Sequence, residues 1–211
     1  MTSRNGAGCK GFSGRESPLH RGATLRRSMM SLRGEAVVLI GFMGSGKSSV
    51  GRHLAKRCGL PRYDTDEIVS ARAGLPITEI FAQRGEDAFR VLESEALAQI
   101  PVEAAIVVTG GGIVLRTENV RRLHQIGLVV HLTADEATLF ERVSRRATRP
   151  LLETENPRST LSELLRVRDP LYRAAADFTV DTSRLRHEEV AEAILTKLES
   201  LRQTAPADSH E

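Results

Sequence analysis

Aromatic residues are scarce in this chain. It has no tryptophan, two tyrosines and six phenylalanines in 211 residues, so its apolar contacts must come mainly from Leu, Val, Ile and Ala. Cysteine is scarcer still. Cys9 and Cys58 lie far apart in unlike contexts, which excludes a disulfide framework and any cysteine metal spacing, and fits a reducing compartment. No apolar run approaches the roughly 18 residues of a membrane span. The formal charge of +3 is not a property of the whole chain. Residues 1–35 carry seven Lys and Arg against Glu16 and Glu35, so residues 36–211 sum to −2 and do not form a basic nucleic-acid binder.

The length suits one domain, with room for a mobile insertion. Residues 1–34 are rich in Gly, Ser and Arg without sustained periodicity, and read as a disordered basic leader. They lack the roughly 7–15-residue apolar stretch of a secretory signal. The plain reading is an unstructured extension, or an over-long start ahead of Met29 and Met30, on a cytoplasmic protein. The alternative, from an Arg- and Ser-rich, acid-poor composition, is an organelle transit peptide.

From residue 35 to about 202 the pattern is that of a folded domain, followed by a frayed tail over 203–211. Ala36–Ile40 is a continuous apolar run, as in a buried parallel strand. Strands are expected at 61–64, 104–109, 128–132 and 178–180 as well. Helices are expected at 47–58, 66–73, 76–84, 86–99, 119–125, 135–146, 161–176 and 188–201. Strands alternating with helices predict a doubly wound, three-layer α/β/α fold around a parallel sheet of about five strands. Ligands should then bind beyond the carboxyl ends of the strands. The polar stretch 147–160, with Pro150 and Pro157, is long for a connection and reads as a mobile lid.

Gly41-Phe42-Met43-Gly44-Ser45-Gly46-Lys47-Ser48 fits G-x-x-x-x-G-K-[ST] between a predicted strand and a predicted helix. Glycines let backbone N–H groups converge on phosphate oxygens, and the helix start adds the positive end of its dipole. Lys47 is positioned for the β- and γ-phosphates, and the Ser48 hydroxyl for Mg²⁺. Asp64-Thr65-Asp66 ends the next strand. On an extended segment two carboxylates two residues apart point the same way, here toward the phosphate loop. One suits the water shell of Mg²⁺, the other a hydroxyl nucleophile. The plainer reading makes Asp66 a helix cap.

After the phosphate loop come Asp64-Thr65-Asp66, Phe89-Arg90, Gly110-Gly111-Gly112, Arg149-Pro150-Leu151-Leu152 and Pro170-Leu171-Tyr172-Arg173, in that order. The ordered set resembles the shikimate kinase family, part of the nucleoside-monophosphate-kinase-like P-loop group, over about residues 36–200. The resemblance implies a P-loop NTPase fold and phosphorylation of the 3-hydroxyl of shikimate, a step of aromatic amino-acid biosynthesis. ATP is then the co-substrate, with one Mg²⁺ per subunit and a monomer that binds neither nucleic acid nor membrane. It implies that Gly44, Ser45, Gly46, Lys47, Ser48 and Ser49 hold ATP, with Arg142 near the adenine. Arg149 would come from the lid to the transferring phosphoryl. Asp66 would bind the shikimate hydroxyls as candidate base, and Asp64 would support Mg²⁺ with Ser48, through water. Arg90 and Arg173 would hold the carboxylate beside Gly110, Gly111 and Gly112.

The residues themselves leave alternatives. A guanidinium fork matches a planar carboxylate, yet Arg90 shares its helix with Glu86, Asp87 and Glu93, and Asp169 or Asp177 could pair with Arg173. Three glycines closing a strand suit close approach of backbone to a ligand rather than packing. A gluconate kinase would share the phosphate loop and lid, and a nucleotide switch without catalysis would share the loop alone.

Overall fold

The computed structural model describes residues 36–145, 150–152 and 154–204. The expectations of a leader at 1–34, of Arg149 and of a tail from 205 onward fall outside them. Strand β1 (Ala36–Ile40) leads through the glycine loop to helix α1 (Lys47–Cys58). Then follow β2 (Arg62–Asp64), α2 (Thr65–Ala73), α3 (Ile77–Ala98) and β3 (Ile106–Val108). A 3-10 turn (Ile113–Leu115), α4 (Thr117–Ile126), β4 (Gly127–Thr133) and α5 (Glu136–Ser144) come next. A second 3-10 turn (Pro150–Leu152), α6 (Pro157–Ala175), β5 (Phe178–Asp181) and α7 (His187–Thr204) complete the described chain.

The five strands form one sheet in the order β2-β3-β1-β4-β5, with every neighbouring pair parallel. The chain winds from β1 outward to β2 on one side and later to β4 and β5 on the other. The crevice at the end of β1 is therefore the switch point where a ligand is expected in such sheets. β1 is buried on both faces, which is why it reads as an unbroken apolar run. Val38 and Ile40 pack with Leu97, Leu123, Leu161 and Tyr172 on one face. Val37 and Leu39 pack with Val50, Leu54, Val190 and Ile194 on the other. The three-layer, five-stranded parallel architecture expected from the sequence is the one found.

Several boundaries differ, each for a local reason. The two helices expected on either side of residue 85 are found within α3, meeting at a kink at Gly85, whose φ of 77° and ψ of 174° lie outside helical geometry. Helix α6 starts at Pro157, not at 161, so the lid expected over 147–160 is shorter at that end. Asn156 caps it by accepting from the Ser159 N–H at 3.2 Å, and Pro157 occupies the first turn, where its missing N–H costs nothing. Helix α7 runs through Thr204, two residues into the expected tail. Among the described residues no helix is long and apolar enough to cross a membrane.

Candidate active site

Two adjoining cavities open along the carboxyl edge of the sheet. The larger, about 650 Å³, is lined by Gly44, Gly46, Lys47, Ser48 and Ser49 of the glycine loop, by Thr109, and by Arg142, Arg145 and Arg186–Glu188. The smaller is lined by Ile77, Phe81, Phe89, Arg90, Gly110, Gly112, Leu151 and Arg168. Met43, Asp66 and Gly111 line both, so a carboxylate stands where the cavities meet.

The glycine loop has the form its sequence predicts. Gly46 caps α1 with φ 94°, a conformation that strains any side chain with a Cβ. The Lys47 ammonium donates to the carbonyls of Gly41 (2.7 Å) and Phe42 (3.0 Å), across the mouth of the loop. Ser45, expected among the ATP contacts, is fully buried and does not line the cavity, so its backbone rather than its hydroxyl is what the loop can present. Arg142 does line it. Its guanidinium donates to the Thr182 hydroxyl (2.9 Å) and carbonyl (2.7 Å), while that hydroxyl donates to the Ser45 carbonyl (3.2 Å). The segment after β5 thus braces the phosphate loop.

The two aspartates do not share an extended segment. Asp64 ends β2 and caps α2, accepting from the Asp66 N–H at 3.1 Å and from Arg62 at 2.9 Å. The capping role considered for Asp66 belongs to Asp64. Burial pushes the Asp64 carboxyl up, aided by Glu67 and opposed by Arg62. Asp64 is 6% exposed and lines neither cavity; Asp66, two residues on, lines both. Asp64 therefore does not face the cavity directly, which leaves only the expected contact with Mg²⁺ through water open to it; among the described residues the side-chain oxygens lining the nucleotide cavity are those of Ser48, Ser49, Asp66, Thr109 and Glu188. Hard oxygen donors of this kind suit Mg²⁺ that keeps several waters and is carried by phosphates. Among the described residues no group of three or more His, Cys, Asp or Glu forms a protein cage for a metal.

The glycine run has a packing role that sequence reasoning assigned to ligand approach alone. A Cβ on Gly110 would lie 2.3 Å from Glu93 Oε1 and 2.7 Å from Asp66 Oδ1, and one on Gly112 would lie 2.1 Å from the Arg90 guanidinium. At Gly111 the nearest atoms are 3.6 Å away or more, ordinary contact distance. Packing therefore demands Gly110 and Gly112 but not Gly111, which borders both cavities. The run is held at both ends. The Gly110 N–H donates to the Thr65 hydroxyl at 2.9 Å, and the Tyr172 hydroxyl donates to the Gly111 carbonyl.

Arg90 is not on a solvated helix face. It is 7% exposed and pairs with Glu93 and Glu86, each at 2.8 Å. Burial works against its charge, but Glu93 and Glu86 outweigh it and hold the guanidinium above its ordinary range. Glu93 is fully buried, and burial pushes its carboxyl up against the pull of Arg90.

Arg173 is elsewhere. Its side chain is 63% exposed, it pairs with Asp169 at 2.6 Å, and it lines a separate surface pocket with Glu136, Ser162 and Arg166. Among the described residues the second guanidinium of the small cavity is Arg168, 5% exposed and 4.0 Å from Glu86. The sequence carried a signal for it. Leu161, Leu165, Arg168, Tyr172 and Ala175 recur at helical spacing on the face of α6 turned inward, so an arginine interrupts an apolar stripe. Residue 173 is one step, about 100°, off that stripe.

Comparison with known proteins accords with this geometry. A family model described as shikimate kinase matches residues 43–199. A shikimate kinase of Thermodesulfovibrio yellowstonii is 46% identical over 166 residues, which is 78% of this chain and 95% of that protein. One of Thioalkalivibrio sulfidiphilus is 48% identical over 149 residues, 70% of this chain and 78% of that protein. The solved structure of shikimate kinase from Acinetobacter baumannii in complex with shikimate superposes with a TM-score of 0.79 at 36% identity, covering 83% of this chain and 98% of that one. The chain belongs to the shikimate kinase family.

Proposed function

We propose that this chain transfers the γ-phosphoryl group of ATP to the 3-hydroxyl of shikimate, giving shikimate 3-phosphate and ADP. The observation that carries the reading is the position of Asp66. It borders a glycine-loop cavity with Lys47 on one side and a small cavity with two buried guanidinium groups on the other. Donor phosphate and acceptor hydroxyl would meet there.

The glycine-loop amides and Lys47 bind and orient the triphosphate, and Arg142 shapes the base end of its cavity. To reach the phosphates, the Lys47 ammonium leaves the carbonyls of Gly41 and Phe42. Arg90 and Arg168 grip the planar carboxylate of the acid, each charge-assisted contact contributing about 1.5–3 kcal/mol. Phe81, Phe89 and Ile77 meet its apolar ring. Asp66 holds the reacting hydroxyl in line and receives its proton as the bond from the acceptor oxygen to γ-phosphorus forms and the bond to the β–γ bridging oxygen breaks. Bound Mg²⁺ would be held by Ser48 and by waters that Asp64 and Asp66 orient, and would supply neutralisation of phosphate charge. Arg149, through the family resemblance, is the lid residue that stabilises the transferring phosphoryl. The enzyme on this reading acts as a cytoplasmic monomer.

A coupled assay of ADP release tests the reading. Shikimate-dependent turnover that requires Mg²⁺ is the expected result. Turnover with gluconate and none with shikimate would overturn it, and tight ATP binding without acceptor-dependent release would make the chain a switch.

A further inference from the structure

The two arginines of the small cavity come from different helices, Arg90 from α3 and Arg168 from α6, and neither helix fixes their separation alone. One side chain connects both. Tyr172 lies on α6 four residues after Arg168, one turn along the same face. It is fully buried. Its hydroxyl donates to the Gly111 carbonyl. Arg168 lines the small cavity beside Gly111, and its charge pulls the phenol's pKa down against burial, which holds it above the ordinary tyrosine range.

The other end of the connection is the peptide plane. The Gly111 carbonyl and the Gly112 N–H belong to one planar unit, so a hydrogen bond that fixes the first fixes the second. Gly112 lies flush against the Arg90 guanidinium, with no room for a Cβ between them. Moving that peptide therefore moves the wall on which Arg90 rests. Behind the phenol ring, His131 stacks at 5.2 Å between centroids and 24° between planes. The ring is located by this stack and by the core, which leaves the hydroxyl for the site.

We propose that Tyr172 is a positioning residue for the acceptor carboxylate: its buried hydroxyl, one helical turn from Arg168 and bonded to the Gly111 carbonyl, couples Arg168 to Arg90 through the Gly111–Gly112 peptide, making one two-armed clamp. It touches no reacting atom. The inference rests on the proposed acceptor pocket for its consequence in catalysis, but the tie between the arginines exists without any ligand.

Tyr172→Phe removes the hydroxyl and keeps the stacked ring. In the full chain it raises the KM for shikimate about tenfold, the loss of one buried hydrogen bond, while the KM for ATP stays within about twofold. A purely structural role would lower the unfolding temperature without separating the two KM values. In the double variant Tyr172→Phe/Arg168→Lys the losses fall short of the sum, because both act on the same clamp; additive losses, or an unchanged KM for shikimate, overturn the proposal. An activity-independent reading separates this from failure of the proposed reaction. In the free protein the side-chain N–H resonances of both Arg90 and Arg168 shift in Tyr172→Phe. A shift at Arg168 alone, or at neither, refutes the tie even if shikimate proves not to be the acceptor. Absence of shikimate turnover in the unsubstituted protein, with both resonances shifting in the variant, overturns the reaction and leaves the tie standing.

Discussion

The guanidinium of Arg90 rests directly on the α-carbon of Gly112: a Cβ built there would sit 2.1 Å from Cζ and Nη1 of the arginine. Gly112 has an ordinary negative φ of −106°, so alanine is excluded by Arg90 and not by the backbone. Arg90 is buried and held by Glu86 and Glu93, which leaves it little freedom to give way. Gly112→Ala should therefore displace Arg90 and lower kcat/KM for shikimate by about tenfold or more, from the 1–3 kcal/mol typical of overpacking. The KM for ATP should change little. Steady-state kinetics with each substrate varied decide it, and full retention of shikimate affinity would mean that Arg90 does not touch the acid.

The two candidates on α6 separate cleanly. Arg168 is buried beside Glu86, whereas Arg173 is exposed and engaged with Asp169. Arg168→Gln removes a buried charge and should cost about 1.5–3 kcal/mol in kcat/KM for the acid, or 10- to 150-fold. Arg173→Ala breaks a surface pair of a kind worth no more than about 1 kcal/mol, and activity should stay within about fivefold. If Arg173→Ala were the damaging change, the carboxylate site would have to lie on the outer face of α6.

This contrast also shows what the sequence could and could not carry. The phosphate loop was legible because its glycines, lysine and serine occur at fixed offsets between a strand and a helix, and because β1 is buried on both faces and so lacks polar interruptions. The acceptor arginines were harder. Arg90 has acidic neighbours at i−4 and i+3, the pattern of a solvated helix face, and its burial comes from tertiary contacts such as that with Gly112. Arg173 belongs to the Pro-Leu-Tyr-Arg motif that carries the family resemblance, while the helical stripe points to Arg168. The packing role of the glycine run is invisible locally, because Glu93, Asp66 and Arg90 converge on it from elsewhere in the sequence.

Asp64 and Asp66 should fail in different ways. Asp64 caps α2 and pairs with Arg62, so Asp64→Ala should lower stability by about 1–2 kcal/mol. Asp66 lines both cavities, so Asp66→Asn should leave the unfolding midpoint nearly unchanged and reduce kcat by about 10²- to 10⁴-fold. Urea unfolding and single-turnover rates on the two variants test this. A catalytic loss at Asp64→Ala larger than at Asp66→Asn would return the chemistry to Asp64.

His131 gives stability a pH dependence with a definite sign. It is 1% exposed on β4, stacked on Tyr172, with its Nδ1 3.5 Å from the Thr179 hydroxyl. Burial lowers its pKa from 6.5 to about 4; Asp169 opposes the shift, and Arg173 and Lys47 add to it. The folded chain therefore resists the proton that the unfolded chain accepts. Above about pH 6.5 both states are neutral and the group contributes nothing. Between 6.5 and 4 the unfolded state binds more protons and stability falls as pH falls; below about 4 the loss is complete. Its size is at most about 3.4 kcal/mol at 1.36 kcal/mol per pKa unit. Other carboxyls titrate in the same range, so the measurement is a difference. Urea unfolding of the unsubstituted chain and of His131→Gln at pH 7, 6, 5 and 4.5 should give stability curves that diverge on acidification, the histidine chain losing more. Parallel curves would show that His131 is protonated as readily in the folded chain as in the unfolded one.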